Sequence, residues 1–599
     1  MDISTSITYP PAHRCTCNTY IHRYIRTSTP PPADRKDPKF TMASKLKKLF
    51  NKSPSAADGS DSSISNSTAE PAPQNATPTT QPTAQQPVSE EPPYDPSLRP
   101  RFLIIGAGHR GNAYARAIKS STNGIVAAVA DIHTYKRESL AERYGIPENL
   151  CFSDWRDILK PESREIIRSS GGIDGVLICT LDQTHAEIAT ALIPFGWHVL
   201  IEKPLATTYL DCLKIQSAIQ STNVVFAIGH VLRYSPHNRL LHRLLTQDKI
   251  VGEIVAIEHK EPIGWYHFSH SYVRGNWHKE SESGPSILTK CCHDLDILLW
   301  FLCSPQPFDP DDTTTRPDEP SNVYSTGKLT YFHKRNKPQN ATNNCITCPE
   351  SVERACMYSA KKIYFENPSG LRGGFNTGWP VDIVYPEIED DPGNFETKTN
   401  NLLKRLEEGP YGRCVYDGHN DVVDNQVVVM SWDGDDNDAK DSGRGPKTAT
   451  LTMTAFTHAI CQRKTVIYGT KGELHSDTSW PAAPAAGQTK RPMRQPQTSL
   501  HSISFTDPYA QWVSHTPDEA DRFSGHGGGD TGLAKAFVSA VEAVKVHGWD
   551  VGKAQRVHIG AGIDEAVRAH GMAWCAEDSR ASGERKVWAS WDAEQREML

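Results

Sequence analysis

Apolar and polar positions follow one repeating pattern in the first half of the chain. From residue 101, short apolar runs such as "RFLIIG" and "GVLICT" alternate with helix-like segments such as "NAYARAIKS" and "THAEIATALIPFG". Strand and helix alternating at this spacing are typical of a parallel, doubly wound sheet. We therefore predict an α/β fold whose first ordered domain spans residues 99–230.

After residue 230 the pattern changes and predicts longer strands separated by large insertions. Residues 451–474, "LTMTAFTHAICQRKTVIYGTKGEL", read as two long strands joined by a turn. Sheets with such alternation commonly present one face to water. We predict that residues 231–599 form an α+β domain around a large open, mostly antiparallel sheet. Stretches rich in Pro, Asp, Gly or Ser predict loop insertions near 304–320, 433–447 and 477–500.

The first 98 residues differ from the rest in composition. They are rich in Ser, Thr, Pro, Ala and Gln, with few large apolar groups. Such a segment buries too little surface to offset its conformational entropy, so we predict a disordered tail. Its early arginines leave a mitochondrial transit peptide as the alternative to a solvated basic tail. No secretory apolar segment precedes the 14 cysteines, which favours reduced thiols and a cytoplasmic location.

Length and charge narrow the function classes. A chain of 599 residues is too long for one hydrophobic core. The net charge of -7 argues against general nucleic-acid binding, which needs a basic surface. The most apolar window, "ILLWFLC" at 297–303, is far shorter than a membrane-spanning helix. We expect neither a nucleic acid nor a membrane as partner.

A glycine-rich turn follows the first strand. "GAGHRG" places Gly106, Gly108 and Gly111 in G-x-G-x-x-G spacing, with His109 and Arg110 between them. The glycines allow a tight turn, close approach of a pyrophosphate and close helix packing. Free N–H groups at the helix start then hold the phosphate charge. The sequence predicts a Rossmann dinucleotide-binding domain, with these five residues at the cofactor.

The end of the second strand predicts which dinucleotide binds. Asp131 lies 20 residues beyond Gly111, where a ribose-binding carboxylate is expected. Its charge would repel a 2′-phosphate, which favours NAD. Lys136 and Arg137 follow closely and would serve that phosphate, so NADP stays the alternative.

A later buried strand is followed directly by two charged residues. In "GWHVLIEKPLATT" the strand runs directly into Glu202 and Lys203, and Pro204 fixes the turn. Ligands of this fold bind at the carboxyl ends of the strands. A lysine there binds a hydroxyl oxygen and relays its proton as hydride leaves the carbon. A solvated lysine paired with Glu202 is the alternative.

Three segments in order carry a resemblance to a known family. "GAGHRG", "CTLDQTHAEIATALIPFGWHVLIEKPLATT" and "GHVLRYSP" resemble the Gfo/Idh/MocA oxidoreductases, named for glucose–fructose oxidoreductase and inositol dehydrogenase. The resemblance is good over residues 100–300 and thinner beyond. It implies that Lys203 contacts nicotinamide ribose and substrate, and that Thr180, His185 and Glu202 lie against the cofactor.

A second candidate segment, "GPSILTKCCHDLDILLWFL", reads as a helix. His293 follows Thr289 by four residues and Lys290 by three, so the three side chains project together. Relatives usually carry an aspartate at the Thr289 position, ahead of the catalytic histidine. His293 is our candidate acid/base or substrate-positioning group. Thr289, Lys290, Asp296 and Arg233 are candidates for substrate contact.

These observations predict an NAD(P)-dependent oxidoreductase acting on a secondary alcohol of a sugar, cyclitol or sugar derivative. A non-catalytic nucleotide-sensing regulator of the same fold and an NAD-dependent glycoside hydrolase are the alternatives. The resemblance also implies a homo-oligomer, dimer or tetramer, because the family uses the open face of its second domain for subunit contacts.

A cysteine cluster lies downstream, in "CITCPESVERAC". Cys345, Cys348 and Cys356 suggest thiolate ligands, but structural zinc needs four. His333 or Cys414 would complete the set, yet nothing in the sequence brings them together. We therefore predict no metal, and expect buried thiols or a redox pair.

Overall fold

The computed structural model describes residues 95–304, 317–434, 444–479, 497–507, 509–517 and 525–599. Residues 91–599 form one compact unit. The predicted tail, except for its last four residues, lies outside the described residues, as do the central parts of the three predicted insertions. The ends of the insertions predicted at 433–447 and 477–500 overlap strands, because composition alone does not mark where a strand begins.

The first sheet is parallel throughout and, within the described ranges, has six strands in the order β3-β2-β1-β4-β5-β6. Its strands are short and buried because helices cover both faces. This confirms the predicted doubly wound domain. The strands are β1 Arg101–Ile105, β2 Ile125–Ala130, β3 Cys151–Phe152, β4 Gly175–Ile178, β5 His198–Ile201 and β6 Phe226–Ile228.

The second sheet has nine described strands in the order β14-β13-β12-β11-β7-β10-β9-β8-β15. All neighbours pair antiparallel except β7 and β10, which are parallel. The predicted open, mostly antiparallel sheet is confirmed. Its strands are β7 Ile254–Pro262, β8 Asn322–Lys328, β9 Asn425–Trp432, β10 Lys447–Thr454, β11 Lys464–Gly469, β12 Gly472–Ser479, β13 Gln497–Ser504, β14 Val513–Ser514 and β15 Lys586–Val587.

The prediction of two long strands joined by a turn in 451–474 is wrong in detail, because this stretch contains the end of β10, all of β11 and the start of β12. β10 and β11 do not pair with each other, because β7 lies between them and pairs with both. Residues 455–463 cross the end of β7 instead. Alternating polarity identifies a strand and its buried face, but it does not identify the partner strand.

The described helices cover both faces of the first sheet and the inner face of the second, and none is long and apolar enough to span a bilayer. They are α1 His109–Ser121, α2 Thr134–Tyr144, α3 Pro161–Ser169, α4 His185–Leu192, α5 Tyr209–Gln220, α6 Pro236–Thr246, α7 Trp265–Phe268, α8 Glu280–Ser283, α9 Ser286–Cys303, α10 Glu350–Ala355, α11 Val381–Val384, α12 Phe395–Glu408, α13 Gly529–Lys545, α14 Val551–Ala554, α15 Ile563–Ser582 and α16 Trp588–Glu597.

The C-terminal part of the chain returns to the first sheet. α13 packs against α1, and the rings of Phe537 and Phe102 lie 5.6 Å apart. Lys545 Nζ lies 2.8 Å from Asp174 Oδ2, just before β4. Since residues far beyond 230 complete the packing of the first sheet, the domain boundary at 230/231 stays a prediction.

Residues 329–424, between β8 and β9, form a lobe that we call the insertion lobe. It contains α10, α11 and α12 and has its own hydrophobic core, separate from the main one. This core includes Ile363, Tyr364, Leu371, Val381 and Leu402. The lobe therefore folds around its own apolar residues while remaining anchored between two strands of the second sheet.

Five buried histidines predict acid lability. Burial lowers the pKa of His198 and His237 to about 4, and of His242, His270 and His570 to about 3. In the unfolded chain these histidines have pKa values of about 6.5, so below that pH the unfolded chain binds more protons than the folded one. Their contribution to folding stability is therefore complete above about pH 6.5 and is lost as the pH falls toward 4. Urea unfolding between pH 8 and pH 4.5 measures this.

The His237→Gln variant is the control for this prediction. Its stability is expected to fall less steeply below pH 6.5, by roughly 1.4 kcal/mol per pH unit for the one lost titration. A free energy of unfolding that stays constant between pH 7 and pH 5 would contradict it.

Candidate functional site

The glycine turn after β1 leaves a space that the protein itself does not fill. Gly106 has φ +93°, and a Cβ there would lie 2.5 Å from the carbonyl oxygen of Cys179. A Cβ on Gly111 would lie 2.0 Å from the carbonyl oxygen of Gly106, whereas one on Gly108 would meet nothing within 4 Å. Gly108 also caps α1 without any side-chain hydrogen bond. The first N–H groups of α1 thus face an open cradle suited to a phosphate.

Asp131 stands beside this cradle, at the end of β2. Its Oδ2 accepts a hydrogen bond from Ala107 N at 2.7 Å, and its Oδ1 accepts one from His133 N at 2.8 Å. Arg137 Nη1 donates to the Asp131 carbonyl at 2.7 Å. The carboxylate and the glycine turn therefore form one edge, as a ribose next to a pyrophosphate requires.

Glu202 ties helix α1 to the end of β5. It accepts hydrogen bonds from Arg110 Nε at 2.6 Å, from Tyr114 OH at 2.8 Å and from Lys203 N at 2.7 Å. Burial alone would raise the pKa of this carboxyl, but the charges of Arg110 and Lys203 outweigh it and lower the pKa. Glu202 is therefore a buried anion that fixes α1 to the end of β5.

Arg110 extends this connection to the C-terminal part of the chain. Its Nη2 lies 3.0 Å from Asp530 Oδ1, in the first turn of α13. Asp530 also accepts from His526 Nδ1 at 2.9 Å. The glycine loop before α13, with its histidine and aspartate, therefore lies against the phosphate cradle although no strand leads into it. His109 is exposed beside Arg110.

Thr180 and His185 shape the turn after β4. His185 is buried, with Nδ1 2.8 Å from the Pro204 carbonyl oxygen and Nε2 3.2 Å from the Thr180 carbonyl oxygen. The Thr180 hydroxyl accepts from Thr184 Oγ1 at 2.7 Å. His185 thus links the carboxyl ends of β4 and β5, while the cofactor contact expected of these residues stays a prediction.

Lys203 reaches from the end of β5 to helix α9. Its Nζ donates to the Thr289 carbonyl oxygen at 2.6 Å and lies 5.9 Å from the ring centroid of Trp277. Trp277 in turn donates from Nε1 to Asp182 Oδ2 at 2.6 Å. Lys203 is half-buried, and Glu202 is paired with Arg110 rather than with its ammonium group. The alternative of a surface lysine paired with Glu202 is not what the structure shows.

His293 is a neutral histidine whose Nε2 contacts two charged groups. Arg463 Nη2 lies 2.9 Å from His293 Nε2, and Asp294 Oδ2 lies 3.2 Å from the same nitrogen. Burial lowers the pKa of His293 far below its usual range; Asp294 opposes this, and the charges of Arg463 and Lys203 add to it. Nε2 thus faces a donor, Arg463, and an acceptor, Asp294. We infer the tautomer with the lone pair on Nε2 and the hydrogen on Nδ1, because the contact with Arg463, which only donates, is the shorter of the two.

The free end of the His293 ring faces no described partner. Nδ1 is buried and, within the ranges that the structure describes, has no hydrogen-bond partner. A buried donor without a partner costs about 1–3 kcal/mol unless something occupies the place beside it. His293 Nδ1–H is therefore suited to donate to an oxygen of a bound substrate.

Lys290 contacts Glu261 and Cys461 rather than the imidazole of His293. Its Nζ lies 3.0 Å from Glu261 Oε1 and 2.9 Å from Cys461 Sγ. Burial opposes its charge, but Cys461 and Glu261 raise its pKa well above the usual value. The cation beside His293 is Arg463, which sequence reasoning missed. The only local signal for it is an arginine at the start of a strand, in "CQRKTVIYG".

The remaining substrate candidates are occupied within the protein. Thr289 Oγ1 donates to Pro285 O at 3.2 Å within its own helix. Arg233 donates from Nε and Nη2 to the two carboxylate oxygens of Asp296, at 2.6 and 2.7 Å. Both members of this pair are buried, and the pKa of Asp296 lies below its usual range, since Arg233 outweighs the effect of burial. Their role in substrate contact stays a prediction.

Comparisons with known proteins point to one class of fold. Residues 100–230 match the model of an oxidoreductase family with an NAD-binding Rossmann fold, GFO_IDH_MocA. The chain is 24% identical over 200 residues to 4-carboxy-2-hydroxymuconate-6-semialdehyde dehydrogenase of Sphingobium sp., covering 33% of this chain and 58% of that protein. It is 25% identical over 201 residues to inositol 2-dehydrogenase of Salmonella typhimurium, covering 33% and 53%. The chain spans little more than half the length of these curated relatives.

Solved structures extend the likeness to the second domain. A putative NADPH-dependent oxidoreductase from Desulfitobacterium hafniense is 15% identical, with a TM-score of 0.50, covering 82% of this chain and 98% of that one. A levoglucosan dehydrogenase in complex with NADH and L-sorbose is 16% identical, with a TM-score of 0.50 and the same coverage. These likenesses show the two-domain fold.

The glycines provide a matched pair of variants. Gly108→Ala places a methyl group in the open cradle, so we expect unchanged thermal stability and at least a tenfold loss of NAD affinity, about 1.4 kcal/mol. Gly111→Ala forces a methyl group onto a carbonyl oxygen, so we expect a lower melting temperature, corresponding to about 1–3 kcal/mol. Differential scanning fluorimetry and NAD titration measure both. Unchanged NAD affinity in Gly108→Ala would contradict the assignment of the cradle.

Proposed function

We propose that this chain, whose residues 100–230 form the NAD-binding Rossmann domain of the GFO_IDH_MocA oxidoreductase family, is an NAD(P)-dependent dehydrogenase of a sugar-like secondary alcohol. The observation that supports it most is the pair of groups at the edge between the two sheets. Lys203 Nζ bonds to the carbonyl of Thr289, one helical turn before His293 on the same helix. A lysine and a neutral imidazole thus lie on either side of one turn of α9.

The cofactor that fits the cradle and Asp131 is a dinucleotide. Gly106, Gly108 and Gly111 give room and N–H groups for its pyrophosphate, and Asp131 favours NAD through its carboxylate. Arg137 donates to the Asp131 carbonyl, which keeps a cation close to the carboxylate. Such a cation would suit a 2′-phosphate, so NADP stays the alternative. When bound, the nicotinamide accepts or supplies the hydride.

The protein's own residues then bind the alcohol and move its proton. As the hydride leaves the carbon, Lys203 in its neutral amine form takes the proton of the hydroxyl group and passes it to solvent. His293 donates from Nδ1 to an oxygen of the same substrate and does not act as a base there, because its lone pair on Nε2 faces Arg463. Trp277 covers Lys203 from one side, with its ring centroid 5.9 Å from Nζ.

The curated relatives favour this reading over the two alternatives. The two relatives compared above bear the names of dehydrogenases. A nucleotide sensor would not need the proton-relay groups, and a glycoside hydrolase would release sugar without net reduction of the cofactor. Cytoplasmic location is proposed with it, supported by the free thiols of the described cysteines.

Replacing the lysine tests the dehydrogenase. We expect the parent to reduce NAD with a member of a panel of polyols, aldoses and sugar acids, and Lys203→Met to lose about 10²–10⁴ of kcat, the range for a lost acid/base group. NAD affinity should change little, because Glu202 rather than Lys203 Nζ fixes α1 to the end of β5. Lys214→Met, on the exposed side of α5, is the matched control.

Two outcomes would contradict the dehydrogenase. NAD binding without turnover in either direction on that panel would favour the sensor. Release of sugar from aryl glycosides, without net NADH, would favour the hydrolase. Turnover retained by Lys203→Met would separate the activity from this lysine.

We also propose a homo-oligomer formed through the outer face of the second sheet. Tyr324 on β8 is 43% exposed and lies directly opposite the half-buried Val429 on β9. Val427 is half-buried on the same face of β9. These apolar side chains lie where the face is otherwise open to water, and burying them between subunits is favourable.

A charge placed on this face should separate the subunits. We expect the parent to be a dimer or tetramer by light scattering, and Tyr324→Lys to shift it toward the monomer. Met357→Lys, at an exposed position of the insertion lobe, is the control and should leave the mass unchanged. A monomeric parent at micromolar concentration would contradict the proposal.

A further inference from the structure

Four cysteines, three of them close together in the sequence and one distant, line one pocket in the insertion lobe. They are Cys345, Cys348, Cys356 and Cys414. The sequence places three of them close together but does not show which residue would be the fourth. The fold brings Cys414 to the same pocket.

Backbone pairing places Cys345 beside Cys414. Asn344 and Arg413 form an antiparallel bridge. Cys345 N donates to the Gly412 carbonyl at 2.8 Å, and Cys414 N donates to the Asn343 carbonyl at 2.9 Å. The two cysteines are therefore held on adjacent segments by main-chain hydrogen bonds.

A short helix places the other two cysteines. α10, Glu350–Ala355, begins two residues after Cys348 and ends just before Cys356. Cys356 N donates to the Val352 carbonyl at 3.1 Å, which turns the chain back toward the pocket. Both cysteines are half-buried and line the pocket with the first pair.

A buried arginine beside these cysteines has no acid to balance it. Arg274 is 3% exposed, and among the described residues no carboxylate lies within 4.0 Å of its guanidinium. Nε and Nη2 donate at 2.7 Å to the carbonyls of Arg413 and Tyr358, and Nη1 has no described partner. Nη2 also lies 3.5 Å from Cys345 Sγ.

An unbalanced buried cation is costly unless a negative group lies near it. The atom that Arg274 faces is a cysteine sulfur, and a neutral thiol does not balance its charge.

We propose that Cys345, Cys348, Cys356 and Cys414 bind one zinc ion as a tetrahedral four-thiolate site. Four thiolates and a divalent cation carry a net charge of -2, which offsets Arg274. Cys345 and Cys348 have the C-x2-C spacing of structural zinc sites, and four sulfurs close the coordination shell. The thiol protons leave to solvent as the metal binds.

The sulfurs line the pocket without yet meeting at ligand distance. No three of them have ligand atoms within 4.8 Å of one another in the part of the chain that the structure describes. The site therefore forms as the metal draws the side chains together, with the half-buried Cys348 and Cys356 free to rotate toward the backbone-paired Cys345 and Cys414.

Another trio of ligand-type atoms is already occupied. His230, Cys292 and His570 have ligand atoms within 4.8 Å of one another. However, His570 Nε2 accepts from Leu205 N at 2.7 Å, and its Nδ1 lies 2.7 Å from the Ala566 carbonyl. No lone pair of His570 remains for a metal, so this trio is a packed polar cluster.

A zinc site here would brace a segment that serves the candidate reaction site. Arg274, held through the pocket, ends the turn Ser269–Arg274, and Trp277 follows three residues later. Trp277 covers Lys203. The metal would thus stabilise the lobe and, through Arg274, the position of this tryptophan.

Metal analysis of the full chain tests the site directly. The protein is purified without a histidine tag, in a Cys15→Ser, Cys17→Ser background that removes the two cysteines of the tail. We expect one zinc per chain by mass spectrometry of the metal. Cys345→Ser and Cys414→Ser should each retain less than about a tenth of it, because structural zinc needs all four ligands.

Cys303→Ser is the matched control. Cys303 is 2% exposed on α9 and lies outside the pocket, so this variant loses a buried thiol but should keep its zinc. If a ligand variant fails to fold, cobalt titration of the folded parent replaces it. A strong thiolate-to-cobalt charge-transfer band is expected, and it should disappear on addition of zinc.

Three results would overturn the proposal. One is a parent without zinc, grown with zinc present, in which all four thiols react with a thiol reagent in the folded state. Another is a Cys345–Cys348 disulfide mapped by peptide mass spectrometry, which would assign the cluster as a redox pair. The last is zinc retained when all four cysteines are replaced by serine.

Discussion

Helix α9 places charged groups where water does not reach, and the geometry of the candidate site depends on how those charges are paired. Every residue of the helix except Trp300 is buried. Lys290 is paired with Glu261, Asp294 with Arg463, and Asp296 with Arg233. Removing one partner of such a buried pair costs about 3–5 kcal/mol, because the other charge is left uncompensated.

The partners come from different elements, so pairing fixes α9 from several sides. Glu261 belongs to β7, and His259 of the same strand bonds to Asp294 at 3.0 Å. Arg463 precedes β11, and Arg233 follows β6. Lys203, from the end of β5, reaches the backbone of the same helix. The helix therefore brings the first sheet and the second sheet to one place.

Glu202 has the corresponding role on the cofactor side. As a buried anion it joins the first turn of α1 to the end of β5, and through Arg110 it reaches the start of α13. The cradle and the lysine are thus positioned by one carboxylate. A change in that carboxylate would disturb nucleotide binding and the reacting lysine together, which a surface ion pair would not do.

Sequence reasoning found what is encoded locally. The glycine turn, Asp131, Lys203 and His293 each carry their chemistry within a few residues of a recognisable strand or helix. The structure places Asp131 beside the glycine turn and Lys203 against the helix that carries His293. Arg463 was not predicted, because it contacts His293 across 170 residues of chain. Arg233 and Asp296 were read as substrate contacts since sequence shows charge but not its partner. The convergence of Cys414 with the other cysteines depended on backbone pairing that no pattern indicated.

The central claim is that His293 is a neutral donor whose hydrogen is held on Nδ1 by Arg463. The nitrogen-15 spectrum of histidine-labelled protein, assigned with His293→Gln, measures it. At pH 7 the account predicts a protonated Nδ1 and an unprotonated Nε2. The tautomer should change in Arg463→Met, which removes the donor to Nε2, but not in Arg233→Met, which disturbs the other buried pair. An imidazolium, or a hydrogen on Nε2 facing Asp294, would contradict it.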